Sequence, residues 1–532
     1  FSNYKIMENT EITDKEKSML FWASFLALMA AGIGFGIRVM SLGLWEGEFG
    51  INGKSAGALF GESLWPIAVG MILFSLIIDK IGYKISMILA AFCFIISCMW
   101  TIFTKDLSSL TYSFILFGFA HGIVEACINP LCATIYKKEK SKMLNILHAS
   151  WPAGVAIGAI VFLLLGATDS PLLSEGASPI LAWRDMFWFV LTPVIAFGFM
   201  FLFCHHYPKD ERVEANVSYV DMMREFGGLG IFLAGTFLFY KFSEVAGTLG
   251  DGNQRILVSL AVGSVLGLAL GIFLKSAGKV LFFILCLTMI PLATAELATD
   301  GWIQKLMQPV FSREYALNSG WAIVCSSFIM MALRFFAGIP LKYMTPPILL
   351  VVSAIFSTAG LLLLSDVSGI MIFVAFALYA VGQTFYWPTI LGFTAEQFPK
   401  GGAMTLNTVS AMGLLTLGVF GMPMLGAAGD KYDAELVKTE APAIYETKKS
   451  DANFFGWSYE KVDLNAVKKD LNFATDSAEQ KDFTMKVENN QRKVLKFAAL
   501  FPAILGISYL LIAFYFKSKG GYKPVVLETS EK

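Results

Sequence analysis

The sequence predicts an all-α membrane protein that crosses a lipid bilayer about fourteen times. Three observations carry this expectation. Of the 532 residues, 56% are hydrophobic and only 15% are charged, against about 25% charged in ordinary soluble domains. The apolar residues gather in runs of roughly 20 or more, the length a helix needs to span hydrocarbon. Between the runs, Lys and Arg fall mostly in alternate short loops, as the positive-inside rule requires of a chain whose N-terminus is cytoplasmic.

The first six runs are 19–45, 56–79, 85–104, 110–136, 143–167 and 184–206. The next two, 226–247 and 255–275, are both counted as crossing, because losing one would turn the basic loops of the second half outward. Lys241 and Glu244 inside the first of them are read as a local ion pair. The last six are 280–303, 315–338, 345–365, 369–395, 402–428 and 495–517. The inner loops then include DKIGYK (79–84), KKEKSK (137–142), HYPKDER (206–212) and KYM (342–344). Residues 1–18, with Met7 as a candidate start, and 518–532 become cytoplasmic tails. The chain divides into an N-terminal six-helix bundle (19–206), a linker with two extra helices (207–279) and a C-terminal six-helix bundle (280–517). The polar stretch 429–494 lies outside and reads as a solvated cap or tether, with a small helix near 465–471.

Zero net charge gives no electrostatic case for nucleic acid. The seven cysteines all lie in apolar segments, and none has metal-ligand spacing with His, which argues against a disulfide framework, a zinc site or another bound cofactor. There is no nucleophile–base pair or phosphate loop, so an enzyme is not expected. The partners expected are the bilayer, a small-molecule solute, and H+ or Na+, with the monomer as the working unit in the cell membrane.

HGIVEACINPLCATIY (121–136) places His121, Glu125 and Asn129 four residues apart on one helix face, just before Pro130. A carboxyl group in hydrocarbon is expensive unless neutralised or paired, so Glu125 is a candidate proton carrier, with His121 and His148 as relays. The plainer alternative is a carboxyl locked to an Arg or His that merely pins two helices. Arg38 is a candidate to bind solute or to hold Glu125 ionised. In TAELATDGWIQ (294–304), Glu296, Asp300 and Gln304 share a face, and Gly301 would let the backbone bend. With Trp302 as a ring platform this cluster suits a sugar. Alternatively Asp300 and Gln304 sit at the outer boundary with Trp302 as an interface aromatic. Trp387 and Pro388 in YWP are a second platform and hinge, or core packing; Glu62 is a lesser cavity candidate.

Aligning Pro130 with Pro388 reveals an internal repeat. Gln383 then stands opposite Glu125, and the pairs Leu144-Asn145 and Leu406-Asn407 match, as in duplicated bundles around a midplane site.

SLIIDKIGYK (75–84) resembles the loop between helices 2 and 3 of the major facilitator superfamily: Asp79, Lys80, Gly82 and Lys84 fit its pattern, and Ser75 departs from it. RFFAGIPLKYMTPP (334–347) resembles the corresponding loop between helices 8 and 9. EACINP followed by LNILH is similar to the helix 4 to helix 5 signature of the fucose–proton symporter family. The resemblance implies a major facilitator fold, two six-helix bundles here with two extra central helices. It implies a proton-linked role for Glu125, solute contacts from Asn129 and Asn145, and gating by Asp79, Lys80, Gly82, Lys84 and Arg334. The fucose permeases carry an acid in helix 1 where this chain has Val39 beside Arg38, which leaves the solute open, a sugar acid included. The function implied is import of a small polar solute, most simply a monosaccharide, by proton symport. The rivals are an exporter of drugs or metabolites and a non-transporting sensor. WPAGVAIGAIV (151–161) has Gly154 and Gly158 but lacks the Gly-Pro pairing of the superfamily's exporters.

Overall fold

The structure, a computed structural model, describes residues 12–51, 53–168, 170–172, 178–250, 252–315, 318–472 and 477–527. Residues 1–11 of the expected N-terminal tail and 528–532 of the C-terminal one lie outside the described residues. The first half comprises α1 (Asp14–Phe49), α2 (Trp65–Phe103), α3 (Leu107–Ile135), α4 (Lys140–His148), α5 (Ser150–Val161) and α6 (Phe187–Phe203). A hairpin of α7 (Tyr219–Val245) and α8 (Gly252–Leu274) follows. The second half opens with α9 (Val280–Ala293), α10 (Thr299–Tyr315), α11 (Gly320–Phe335) and α12 (Pro346–Asp366). It continues through α13 (Met371–Gln383), α14 (Tyr386–Gln397), α15 (Gly402–Thr416), α16 (Met422–Glu440) and α17 (Leu500–Ser518).

Among the described residues, 11 helices are long and apolar enough to cross a membrane, and the pair Leu306–Tyr315 with Gly320–Phe335 makes up to 12. One of them, Leu59–Phe103, holds two of the sequence's apolar runs, because Gly82 at φ 79° breaks it between them. The 17-residue α6 is apolar but shorter. All fourteen runs are therefore helical, and about fourteen crossings fit the fold.

Helices pack closely here because small residues replace bulk at the crossings, the usual device where lipid supplies no hydrophobic drive. α1 and α5 meet through Gly32 and Gly36 against Gly154 and Gly158; a Cβ on Gly154 would come within 2.3 Å of the Met29 carbonyl oxygen. This contact turns α5, with Trp151, toward the middle of the molecule.

Both ends of the described chain lie on one face. His206 Nδ1 is 2.7 Å from Glu16, Lys140 bridges to Glu211 at 2.5 Å, and Lys137 pairs with Glu214. Lys140 also reaches the Ala395 carbonyl at 3.4 Å, and Tyr522 donates to Glu396 at 2.6 Å. His206, which opens an inner loop, thus has an acidic partner.

The 429–494 segment is more than a tether. α16 runs on past the expected boundary at 428 to Glu440, and helices Pro442–Lys448, Leu464–Leu471 and Ala478–Gln491 surround it. The antiparallel strands β1 (Ser450–Phe454) and β2 (Trp457–Lys461) complete the unit. Ala434, Val437, Tyr445, Val467, Phe483 and Val487 form its own buried core. Phe455, at the hairpin tip, stacks on Tyr240 of α7 and edges onto Phe420. The sequence hid this core because its apolar residues are single and widely spaced.

The α7–α8 hairpin is tied back at Gly227, whose φ of 61° suits glycine and whose Cβ would lie 2.1 Å from the Gly278 nitrogen. Lys241 and Glu244 pair at 2.6 Å. Gly227→Ala is expected to destabilise the purified protein by on the order of 2 kcal/mol, read as a fall in thermal midpoint in detergent.

Candidate functional site

Three prolines prepare the centre of the molecule. A proline at position i has no N–H for the carbonyl at i−4, so Pro130, Pro152 and Pro388 free the carbonyls of Ala126, His148 and Thr384. A freed carbonyl away from water needs another donor. Side chains supply it. Asn407 Nδ2 donates to Ala126 O at 2.9 Å, Arg334 Nη1 to His148 O at 3.0 Å, and Arg334 Nε to Thr384 O at 2.6 Å. The third arm of Arg334, Nη2, meets Glu296 Oε1 at 3.1 Å. Arg334 is 1% exposed, so every contact counts against a large desolvation cost.

On the other side of this junction is the cluster on α3. Asn129 Nδ2 donates to Glu125 Oε2 at 2.6 Å, and Asn129 Oδ1 lies 2.9 Å from His148 Nε2. His121 Nε2 is 3.6 Å from Glu125 Oε1 and makes no hydrogen bond. The His121 ring stacks on Trp151 with centroids 5.3 Å apart. A nearly continuous polar line therefore runs from His121 through Glu125, Asn129 and His148 to Arg334 and Glu296, from one half of the chain to the other.

Two small cavities flank it. One, of about 40 Å³, is lined by His121, Glu125, His148, Trp151, Glu296, Arg334 and Trp387. The other, of about 50 Å³, is lined among others by Phe35, Trp151, Glu296, Asp300, Ser326 and Tyr379. Each has room for a few water molecules, and a hexose needs the halves to part.

The helix carrying Glu296 does not bend at Gly301, as expected; α10 runs through it. The irregularity is a wider π-type turn at Thr294–Ala298, which presents Glu296 itself, a form of helix defect frequent at functional sites. Glu296 Oε2 is buried with no hydrogen-bond partner. Asp300 accepts from Tyr379 at 3.2 Å, and Gln383 Nε2 donates to Ser326 at 3.3 Å.

Several expected residues sit elsewhere. Arg334 lies in the last turn of α11, and its side chain is buried at the junction of the two halves. The Arg38 guanidinium lies 4.1 Å from the centre of the Phe117 ring, and Arg38 is absent from the lining of both cavities. Trp302 packs within its own half, its Nε1 donating to the Met422 carbonyl at 3.3 Å, and Gln304 reaches Met40 Sδ at 3.6 Å. Glu62 takes a hydrogen bond from Trp65 at 2.7 Å. Asn145 lines neither cavity; its Nδ2 donates to Ser141 O at 2.8 Å and to Thr389 Oγ1 of the other half at 3.3 Å. Trp387 donates to Ser410 at 3.1 Å beside the smaller cavity. Asp79 pairs with Arg212, Lys84 reaches the Cys204 carbonyl at 3.1 Å, and Lys80 is exposed.

Trp151, in the walls of both cavities, and Tyr379, in the wall of the larger, were missed. Trp151 is one helical turn beyond His148, and that spacing is its sequence signal; Tyr379 carries none.

The sequence profile of the Major Facilitator Superfamily matches residues 23–427. The chain belongs to that superfamily. Among solved structures, the fold is similar to the proton:xylose symporter XylE bound to 6-bromo-6-deoxy-D-glucose, at TM-score 0.54 and 15% identity, covering 80% of this chain and 91% of that one. The E. coli fucose:proton symporter FucP matches at TM-score 0.51 and 11% identity over 92% and 98% of the two chains. A bacterial homologue of the human lysosomal transporter Spinster, inward-facing and unoccupied, matches at 0.57 and 13% over 97% and 100%. At such identities these likenesses establish the major facilitator fold. No curated protein sequence matches the chain.

On the face carrying the chain ends, Asp210 Oδ1 accepts from the Arg212 backbone at 2.9 Å and lies against Gly402 of the second half. Burial, with Asp79 nearby, pushes its carboxyl up to about 6. An acid raised in the folded state favours its protonated form, so its contribution is fully present below the unfolded value near 3.8 and is lost as pH rises through about 6. Asp210→Asn keeps the acceptor oxygen and is expected to flatten the pH dependence of thermal stability between pH 4 and 6, raising stability at pH 7; midpoints measured across that range check it.

Proposed function

We propose that this member of the major facilitator superfamily imports a small polar solute, most simply a monosaccharide, by proton symport. The observation that carries the reading is the polar line from Glu125 to Glu296 between the two cavities. Three carboxylates, Glu125, Glu296 and Asp300, face those cavities with Arg334 as the guanidinium among them. Unbalanced charge in a low-dielectric centre is costly, so bound protons are the natural balance. Glu125 loads a proton from outside, the solute binds between the halves, and the halves rock about the site in alternating access. The proton then leaves to the more alkaline interior. His121, 3.6 Å from Glu125 and otherwise unbonded, is placed to pass it.

The same acidic excess favours a second reading, a solute bearing an ammonium group. Phe35, Trp151, Phe376 and Tyr379 line the larger cavity, and aromatic faces beside carboxylates suit such a cation. An anionic solute fits less well, because Arg38 lines neither cavity.

The test is uptake of labelled fucose, galactose, glucose, a sugar acid and an organic amine into proteoliposomes, with and without an inward proton gradient. Glu125→Gln is run beside the unaltered protein. Gradient-driven accumulation of one solute, lost in Glu125→Gln while solute exchange survives, is the expected result. Undiminished accumulation by Glu125→Gln would sink the proton-carrier role, and accumulation of the amine alone would replace the sugar.

A further inference from the structure

Two of the three freed carbonyls belong to the first half, and both are occupied by side chains of the second. Asn407 on α15 fills the one freed by Pro130, and Arg334 on α11 fills the one freed by Pro152. Asn407 Nδ2 also donates to Ser75 at 2.9 Å. Its repeat-equivalent, Asn145, makes the reciprocal contact from the first half to Thr389, the residue after Pro388. We propose that the proline-freed carbonyls of Ala126 and His148 are the sockets of a latch that holds the two halves together on the side of the chain ends, with Asn407 and Arg334 as its pins. This deepens the transport reading above and rests on it for its purpose, though not for its test.

The chemistry favours a latch over a static weld. An intrahelical bond at 126 or 148 would survive any rigid movement of the halves; proline removes it and hands the acceptor to the opposite half. When the halves part, water can enter and satisfy each socket, since each faces the widening gap. The closed state is also incompletely satisfied. Asn407 Oδ1 and Asn145 Oδ1 are both buried with no hydrogen-bond partner, and both residues are fully buried. Opening hydrates two amide oxygens that closure leaves dry, so the latch holds without locking.

Pro130→Ala supplies the missing N–H, lets Ala126 O bond within its own helix, and takes the acceptor from Asn407. Asn407→Ala removes the donor. Spin labels at Lys138 and Lys400, exposed positions on loops of opposite halves, would report the separation by pulsed electron resonance after the native cysteines are replaced. No solute or gradient is present, so failure of the transport assay leaves this measurement standing, and failure here leaves the transport assay standing. Each single variant is expected to raise the open-to-closed ratio roughly threefold to tenfold, the effect of one net hydrogen bond. The double variant should do no more than the larger single effect, because both changes remove the same bond. Pro193→Ala, at a proline inside α6, should leave the ratio unchanged. Unmoved distances in both single variants, or effects that simply add, would overturn the latch. If the cysteine-free background does not fold, hydrogen exchange of α4 amides in the native-cysteine variants gives the same comparison: faster exchange in both, with no further gain in the double, supports it.

Discussion

The structure depends on keeping one charge out of water. A guanidinium at the centre of a membrane protein loses most of its hydration, and the loss is recovered only through short, well-directed bonds. Arg334 obtains them from Glu296 and from two carbonyls that helices do not normally offer. Those carbonyls exist because Pro152 and Pro388 break two helical ladders. The prolines, the arginine and the acid are thus one arrangement. Remove a proline and the carbonyl returns to its helix; remove the acid and the charge is stranded. The positions of α11, α14 and α5 around the cavities follow from where those acceptors lie.

That arrangement is electrically incomplete, which is what the proposed proton symport would draw on. Arg334 neutralises Glu296 through one oxygen only, and the other is buried without a partner. Asp300 has a phenol and Glu125 an amide as hydrogen-bond partners, and the imidazole 3.6 Å from Glu125 is charged only when protonated. In the proton symport proposed above, bound protons would supply the missing positive charge. A tightly closed core with its acids fully paired would hold the helices as well but would have no reason to bind an ion.

Much of this was legible in the sequence, and the rest was hidden for identifiable reasons. Apolar run length found the membrane helices among the described residues, since hydrocarbon tolerates little else, and the gap between runs 56–79 and 85–104 fell where Gly82 breaks the longest. The i, i+4 spacing found the Glu125–Asn129 bond, and the repeat found Asn145 and Asn407 as equivalents. What failed was depth and direction. Arg334 lies near the end of an apolar run, where the resemblance implied a gating residue, and nothing in the sequence showed that its side chain is buried among carbonyls and Glu296. Trp302 is two residues from Asp300, a separation that puts them on different helix faces. Arg38 appeared to need an anion because its actual neighbours, Phe114 and Phe117, look like ordinary core in the sequence. Asn145 matched a motif for solute contact, but only three-dimensional packing could place it against Thr389.

The repeat also shows where the two halves stopped being equivalent. At matched positions the first half has Glu125 and the second Gln383, a side chain of the same length that cannot ionise. Gln383 leaves its carbonyl oxygen buried and unpartnered, while the second half's charge has moved to Glu296 and Asp300 on the preceding helices. The freed carbonyls diverged in parallel: one in the first half is met by neutral Asn407, its counterpart in the second by charged Arg334. Arg334 then reaches across to His148, which touches Asn129 and, through it, Glu125. Under the proton symport and latch proposed above, a change of charge on Glu125 would reach the group that binds the halves together through this line of contacts. In a symmetric duplicate, each half would settle its own acid locally, and neither could influence the closure of the other.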